Sequence, residues 1–193
     1  EIIHLEKIVS GTPFTDSRTI MAYEFKDGIN KYLNDLGETK PANDLSDLIK
    51  LTYLDSIEMK YFNLSRMENS NSKGDLSNEE YTLALLEVQK NYGENGIDKV
   101  MDENLLDAII CPTGSPAWKT DLINGDNFKL SSSVYAALSG YPNITIPMGF
   151  IENLPVGISF FGRKWSEPSL IEIAYSYEQG TKHRKAPQFF ETD

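Results

Sequence analysis

The side chains able to do chemistry are few and unevenly spread. Three serines stand in a row, Ser131-Ser132-Ser133, with Lys129 just ahead of them. The single cysteine, Cys111, closes an apolar run. Asp121, Asn124 and Asp126 gather around Gly125, and the two histidines, His4 and His183, lie near opposite ends. Serine beside lysine suggests acyl transfer, cysteine a thiolate nucleophile, the acidic cluster a cation site, and histidine a proton shuttle.

Most of these have a plainer reading. A reactive cysteine needs a nearby cation or base and some exposure. Cys111 follows Ala-Ile-Ile and precedes Pro112, with no histidine near in sequence, so it reads as a buried structural residue. Asp121 and Asp126 lack the spaced oxygen ligands and closing glutamate of a calcium loop. Asn124-Gly125-Asp126 reads as a turn, and neither a metal nor another cofactor is expected. No carboxylate is placed with His4, while His183, in Lys182-His-Arg-Lys185, joins the cations that suit a helix C-terminus. The strongest candidate is the loop from Thr113 to Ser133, which carries Trp118 among small polar residues. It leaves the end of a predicted strand, where open α/β sheets bind ligands.

The elements that must position this loop follow from periodicity. Ala108–Cys111, Ile144–Ile146 and Val156–Phe161 are short runs of apolar and β-branched residues bounded by Pro or Gly, and they predict the core sheet. The first is apolar throughout, as a strand covered on both faces would be. Glu1–Val9 predicts an edge strand. A helix is predicted from about Asp16 to Leu36, with Met21, Phe25, Ile29, Tyr32, Leu33 and Leu36 on its buried face. Another starts near Leu45, capped by Asn43 or Asp44, with Leu45, Leu48, Ile49, Thr52 and Ile57 inward. The run Asn69–Asp75 predicts a flexible surface loop. Ser77 and Glu80 have capping-box spacing before a helix that buries Tyr81, Leu85, Val88 and Tyr92. Gly93 and Gly96 predict a kink or break, then a short helical run through Leu106. Val134–Leu138 reads as helical, and Ser166 starts a last helix with Leu170, Ile173, Ala174 and Tyr177 inside. The sum is an α/β fold, a mixed β-sheet flanked by helices, in a single domain over residues 1–193.

The combined blocks Asp107-Ala-Ile-Ile-Cys-Pro-Thr113, Gly140-Tyr-Pro-Asn-Ile-Thr-Ile-Pro-Met-Gly149 and Leu154-Pro-Val-Gly-Ile-Ser-Phe-Phe-Gly-Arg163 resemble the C-terminal part of the amidase signature family. Gly114-Ser-Pro-Ala-Trp118 with Asn124-Gly-Asp126 is similar to the branch that includes peptide amidases, and the likeness runs with gaps from about Tyr23 to about Pro187. The resemblance implies the α/β amidase fold and hydrolysis of a carboxylic amide by a Ser–cis-Ser–Lys triad, its two serines in a glycine-rich loop and its lysine upstream. No such loop occurs in these residues, so the chain is expected to be the portion that follows the catalytic half. Lys129 and the three serines do not replace it. Their flanks, Leu130 and Val134, lack the glycines that let backbone amides form an oxyanion hole. No residue here is assigned a catalytic role. The resemblance puts the serines near the pocket, and a helix N-cap made of serines is the equal alternative. Thr113, Trp118, Ser131, Ser132 and Ser133 are the expected substrate contacts.

Charge narrows the partners. A net charge of −11 argues against nucleic acid, which needs clustered cations, and against anionic membrane surfaces. One cysteine allows no internal disulfide framework and fits a reducing, cytoplasmic setting. The expected partners are a small-molecule or peptide amide substrate and the catalytic half. Self-association through exposed apolar surface is also expected. The alternatives are part of a transamidating amidotransferase, or a non-catalytic interaction module.

Overall fold

The structure is a computed structural model that describes residues 1–9 and 14–188. These residues gather into two compact units, Gly11–Val88 and a larger one that joins the N-terminal residues to Gln89 onward.

The smaller unit is helical. α1 (Phe14–Asp35) packs on α4 (Ser65–Asn71), with α2 (Leu45–Tyr53) and α3 (Glu58–Tyr61) between them in sequence. Asp44 caps α2 by accepting from the Asp47 amide at 2.9 Å, and Asp55 takes the amides that open α3. Leu45, Ile49 and Leu64 form the core, joined by Ile29. Of the face predicted for α1 only Leu33 is fully buried. Met21, Phe25 and Tyr32 are exposed, and Ile20, Ala22 and Tyr23 are buried instead. The cause is tertiary. Tyr23 pairs with Tyr81 at 5.6 Å between ring centroids and donates to Glu80 Oε2 at 2.7 Å. Leu48 and Thr52 of α2 are only partly buried, and Ile57, beyond the helix, is exposed.

Two local expectations fail here. Residues 69–75 are not a free loop: Asn69 to Asn71 end α4, and the Lys26 ammonium donates to the carbonyls of Asn71 and Lys73. Nor does the capping box form. α5 (Glu79–Tyr92) starts later than its spacing implied, and Asn78 Oδ1 takes the Glu80 amide. Ser77 turns its hydroxyl to Asp75, and Glu80 is taken by Tyr23 and Lys73.

α5 buries Tyr81, Val88 and Tyr92 as its periodicity requires. Beyond it the helix does not break at the glycines. Gly93–Asp98 is a π-helical segment that runs straight into α6 (Lys99–Glu103). The glycines serve approach rather than flexibility. A Cβ on Gly96 would stand 2.8 Å from the Asn91 carbonyl and 3.1 Å from Val9. Residues 1–9 form no strand; Leu5, Ile8 and Val9 hold them by packing.

The larger unit is built on three strands, β1 (Ile109–Pro112), β2 (Asn143–Ile151) and β3 (Leu154–Phe161), in the order β1-β3-β2. Every pairing among them is antiparallel, so the described sheet is not mixed. β2 and β3 are a hairpin whose turn residues, Glu152 and Asn153, both have positive φ, as a two-residue type I′ turn requires. β2 tolerates Pro147 because it is an edge strand, and a bulge at Gly149 absorbs the register shift. α8 (Glu167–Thr181) covers one face, with Leu170 and Ala174 against Phe160 and partly buried Ile144, Ile146 and Ile158. Lys182 ends that helix in the left-handed conformation, so His183 lies past the helix end rather than in its last turn. The opposite face carries Ile109 and Phe161 against Ile97, Met101 and Ala136 of the π segment, α6 and α7 (Ser133–Ser139). β1 is thus buried through Ile109 while Ile110 is exposed, not covered on both faces throughout. No helix of the described residues is long and apolar enough to cross a membrane.

Candidate functional site

The face beneath α7 is apolar at one end and polar at the other. Cross-strand partners share a face, so the register stacks Cys111 and Thr145 on either side of Ser159. Thr113 follows on the same side as Cys111, held by its amide on the Gly157 carbonyl at 2.8 Å. The hydroxyls then meet. Ser132 Oγ and Ser159 Oγ are 2.8 Å apart, Ser159 Oγ and Thr113 Oγ1 2.8 Å, and Thr113 bonds Thr145. Gly157 makes the row possible. A Cβ there would fall 2.8 Å from Thr113 Oγ1 and 2.9 Å from Thr145 Oγ1.

This row forms part of the wall of a cleft of 430 Å³, which Ser133, Ala136, Ala137, Tyr141 and Asn143 complete. No charged side chain is among the lining residues. Tyr141 is fixed from behind: its hydroxyl donates to Asp98 Oδ2 at 2.6 Å, and Asp98 faces Arg163 at 3.9 Å. Burial first, and the Asp98 bond second, push the Tyr141 phenol up to about 12. Gly93 leaves space for it, since a Cβ there would touch the Tyr141 hydroxyl at 3.0 Å. The π segment therefore does packing work: it carries both Gly93 and Asp98 to this tyrosine.

The structure brings Thr113, Ser132 and Ser133 of the predicted contacts to this cleft and leaves Ser131 and Trp118 outside its lining. Ser131 pairs with Gly114 in a bridge that closes the loop's base, and its hydroxyl takes the Ser133 amide at 3.3 Å. Trp118 lies in the outer loop, edge-on to Phe128 at 6.2 Å and donating to Asp126 at 3.2 Å. The serine N-cap alternative fails at Ser132. It stands at the N-cap of α7 without capping it, because its hydroxyl turns to Ser159. Lys129 is exposed and lines no part of the cleft. Cys111 is half-buried against the core, and burial pushes its thiol up, away from reactivity. Asp121 spends its carboxylate on a turn, accepting from the Ile123 and Asn124 amides, and those bonds, Asn124's first, hold it below its ordinary value.

Sequence reading missed Ser159, Thr145 and Tyr141. A signal existed for the first two. Each is a lone hydroxyl inside an apolar strand run, Ile-Thr-Ile and Gly-Ile-Ser-Phe-Phe, and alternation would have set both on one face. Tyr141 carried none, because its partner Asp98 is remote in sequence.

The relatives agree with this architecture. A probable amidase of Arabidopsis thaliana is 36% identical over 191 residues, covering 97% of this chain and 33% of that protein. The solved peptide amidase of Stenotrophomonas maltophilia superposes with a TM-score of 0.81 at 36% identity, over 92% of this chain and 35% of that one. A glutamyl-tRNA(Gln) amidotransferase component of Clostridium acetobutylicum is 40% identical over 81 residues, 39% of this chain and 17% of that protein. The chain spans about a third of the length of the amidases it matches. The profile of the Amidase family matches residues 12–171, and together with the near-full-length likeness to amidases this places the chain in the amidase signature family.

Proposed function

We propose that this chain supplies the sheet core and part of the substrate pocket of an amidase that hydrolyses carboxylic amides, a peptide-like C-terminal amide being the favoured class. One observation carries the reading: Thr113, Ser132 and Ser133 converge with Tyr141 on one uncharged cleft beside the end of β1. Polar, neutral walls with one aromatic suit a neutral ligand bearing both hydrogen-bond donors and acceptors. The covalent chemistry belongs elsewhere. No glycine–serine loop occurs among these residues, and the serines present are bonded to one another without a base. In the reaction we propose, a neutral lysine takes a proton through a cis-serine, the second serine attacks the amide carbon, the amine or ammonia leaves, and water cleaves the acyl-enzyme. All three of those groups lie outside this chain, on a partner portion that docks with it. The lone Cys111 fits a reducing, cytoplasmic setting.

The amidase likeness covers 97% of the chain and the transamidase likenesses from 39% to 56%, which favours hydrolysis over transfer. The test is direct. The purified 193-residue chain should release no ammonia from N-acetyl peptide amides, yet those amides should shift the backbone NMR signals of Thr113, Ser132, Ser133 and Tyr141. Turnover that Ser132→Ala abolishes, or shifts confined to another surface, would overturn the proposal.

A further inference from the structure

The hydroxyl row has a direction, and its open end has the pattern of a carboxamide. Each hydroxyl brings one hydrogen and two lone pairs. Thr145 Oγ1 donates to the Ile158 carbonyl at 3.3 Å, the longest bond of the row. The order that uses every hydrogen therefore runs from Ser132 to Ser159 to Thr113 to Thr145 and on to that carbonyl. Ser132 and Ser159 are 3% and 1% exposed, so that end is sealed. Thr145 is exposed and Thr113 half-exposed, and both line the cleft. Each of these two oxygens has accepted one hydrogen from the row and keeps one lone pair. The Thr145 hydrogen, on a long bond, is the one a better acceptor can take.

We infer that Thr113 and Thr145 form a two-hydroxyl clamp for an uncharged carboxamide, Thr145 donating to its carbonyl oxygen and Thr113 accepting from its N–H. The clamp rests on the reading of the cleft as a substrate pocket and names what the pocket distinguishes. A carboxylate has no hydrogen for the Thr113 lone pair, and no cation among the lining residues offsets its charge. An ester offers an acceptor alone. The clamp thus selects the amide over the acid that hydrolysis leaves, so product leaves more easily than substrate. Gly157 is the positioning residue: only without a side chain can both hydroxyls turn to one ligand.

The experiment titrates the 193-residue chain with N-acetyl-phenylalanine amide, the matching acid and the matching methyl ester, following backbone NMR shifts. The amide should bind at least about fivefold more tightly than the ester, the worth of one neutral hydrogen bond, and the acid should bind most weakly. Thr113→Val should erase the preference for amide over ester. Thr145→Val should weaken both about fivefold, and Thr145→Ser should restore them. Gly157→Ala should remove amide binding. Unperturbed signals remote from the cleft show that each variant folds, and Thr113→Ala serves where the valine does not. Amide shifts in the cleft that both valine variants leave unchanged overturn the clamp and leave the cleft as the pocket. An amide that produces no cleft shifts in the unmodified chain overturns both.

Discussion

The two faces of the small sheet are made from the same strands and do opposite things. Under α8, Ile144, Ile146, Ile158 and Phe160 meet Leu170 and Ala174 in a dry contact. On the other face the same strands present Thr145 and Ser159, and β1 adds Cys111 and then Thr113. A period of two residues sorts them without any further instruction. The comparison teaches where stability and recognition separate in this chain. The first face can be apolar because a helix covers most of it, leaving Ile110 of β1 at its exposed margin. The second is covered only as far as Phe161 and Ala136, and beyond that point a polar row meets solvent.

The largest expected effect tests the dry face. Leu170→Ala empties a side chain 1% exposed and should cost about 2–5 kcal/mol in urea unfolding while sparing ligand shifts in the cleft. A cost under about 1 kcal/mol would show that α8 does not hold the sheet. Next comes the polar face. Ser159→Ala removes the centre of the row and strands Ser132 and Thr113, costing about 1–3 kcal/mol by the same measurement. Adding Ser132→Ala should cost less than the sum of the single changes, since it removes a group already left unpartnered. Strict additivity would mean the hydroxyls act independently.

A third prediction concerns pH. The folded chain holds Tyr141 protonated up to about 12 against an ordinary value of 10.0, so it binds that proton more tightly than the unfolded chain does. The resulting stability is fully present below pH 10 and declines as pH rises through 12. Tyr141→Phe should remove that part of the alkaline decline, while costing about 1 kcal/mol at pH 7 through the lost bond to Asp98. Identical alkaline curves for the two proteins would detach Tyr141 from this role. The smallest effect is on stability at the outer side of α8, where Ile171 and Tyr175 are exposed. Ile171→Glu with Tyr175→Glu should change stability by less than about 0.5 kcal/mol yet reduce self-association and hydrophobic-dye binding by the chain. Unchanged sedimentation and dye signal would place any association elsewhere.

Element existence was legible where periodicity is strong and packing only confirms it. α5, α8 and the three strands follow from the spacing of Tyr81, Val88 and Tyr92, of Leu170 and Ala174, and from β-branched runs between Pro and Gly. Local rules with two solutions were not decided that way. Ser77 and Glu80 have capping-box spacing, yet Tyr23 and Lys73 claim Glu80 from a distance and Asn78 takes over the cap. α1 has more apolar residues than one face needs, and Tyr81 chose the side that carries Tyr23. The glycines after Tyr92 promised a break, but their lack of side chains instead admits Val9 and Tyr141 to a continuous helix.

The candidate site divides in the same way. The sequence by itself determined the amidase likeness, the want of a nucleophile loop, and the candidacy of Thr113, Ser132 and Ser133, because these depend on residue types in continuous blocks. Only the tertiary structure decided that Trp118 stands apart, that Ser132 bonds Ser159 instead of capping α7, and that Thr145 and Tyr141 join the cleft. A hydroxyl's partner is fixed by what stands within about 3 Å of it. Ser132 and Ser159, 27 residues apart, are neighbours only after β3 has paired between β1 and β2.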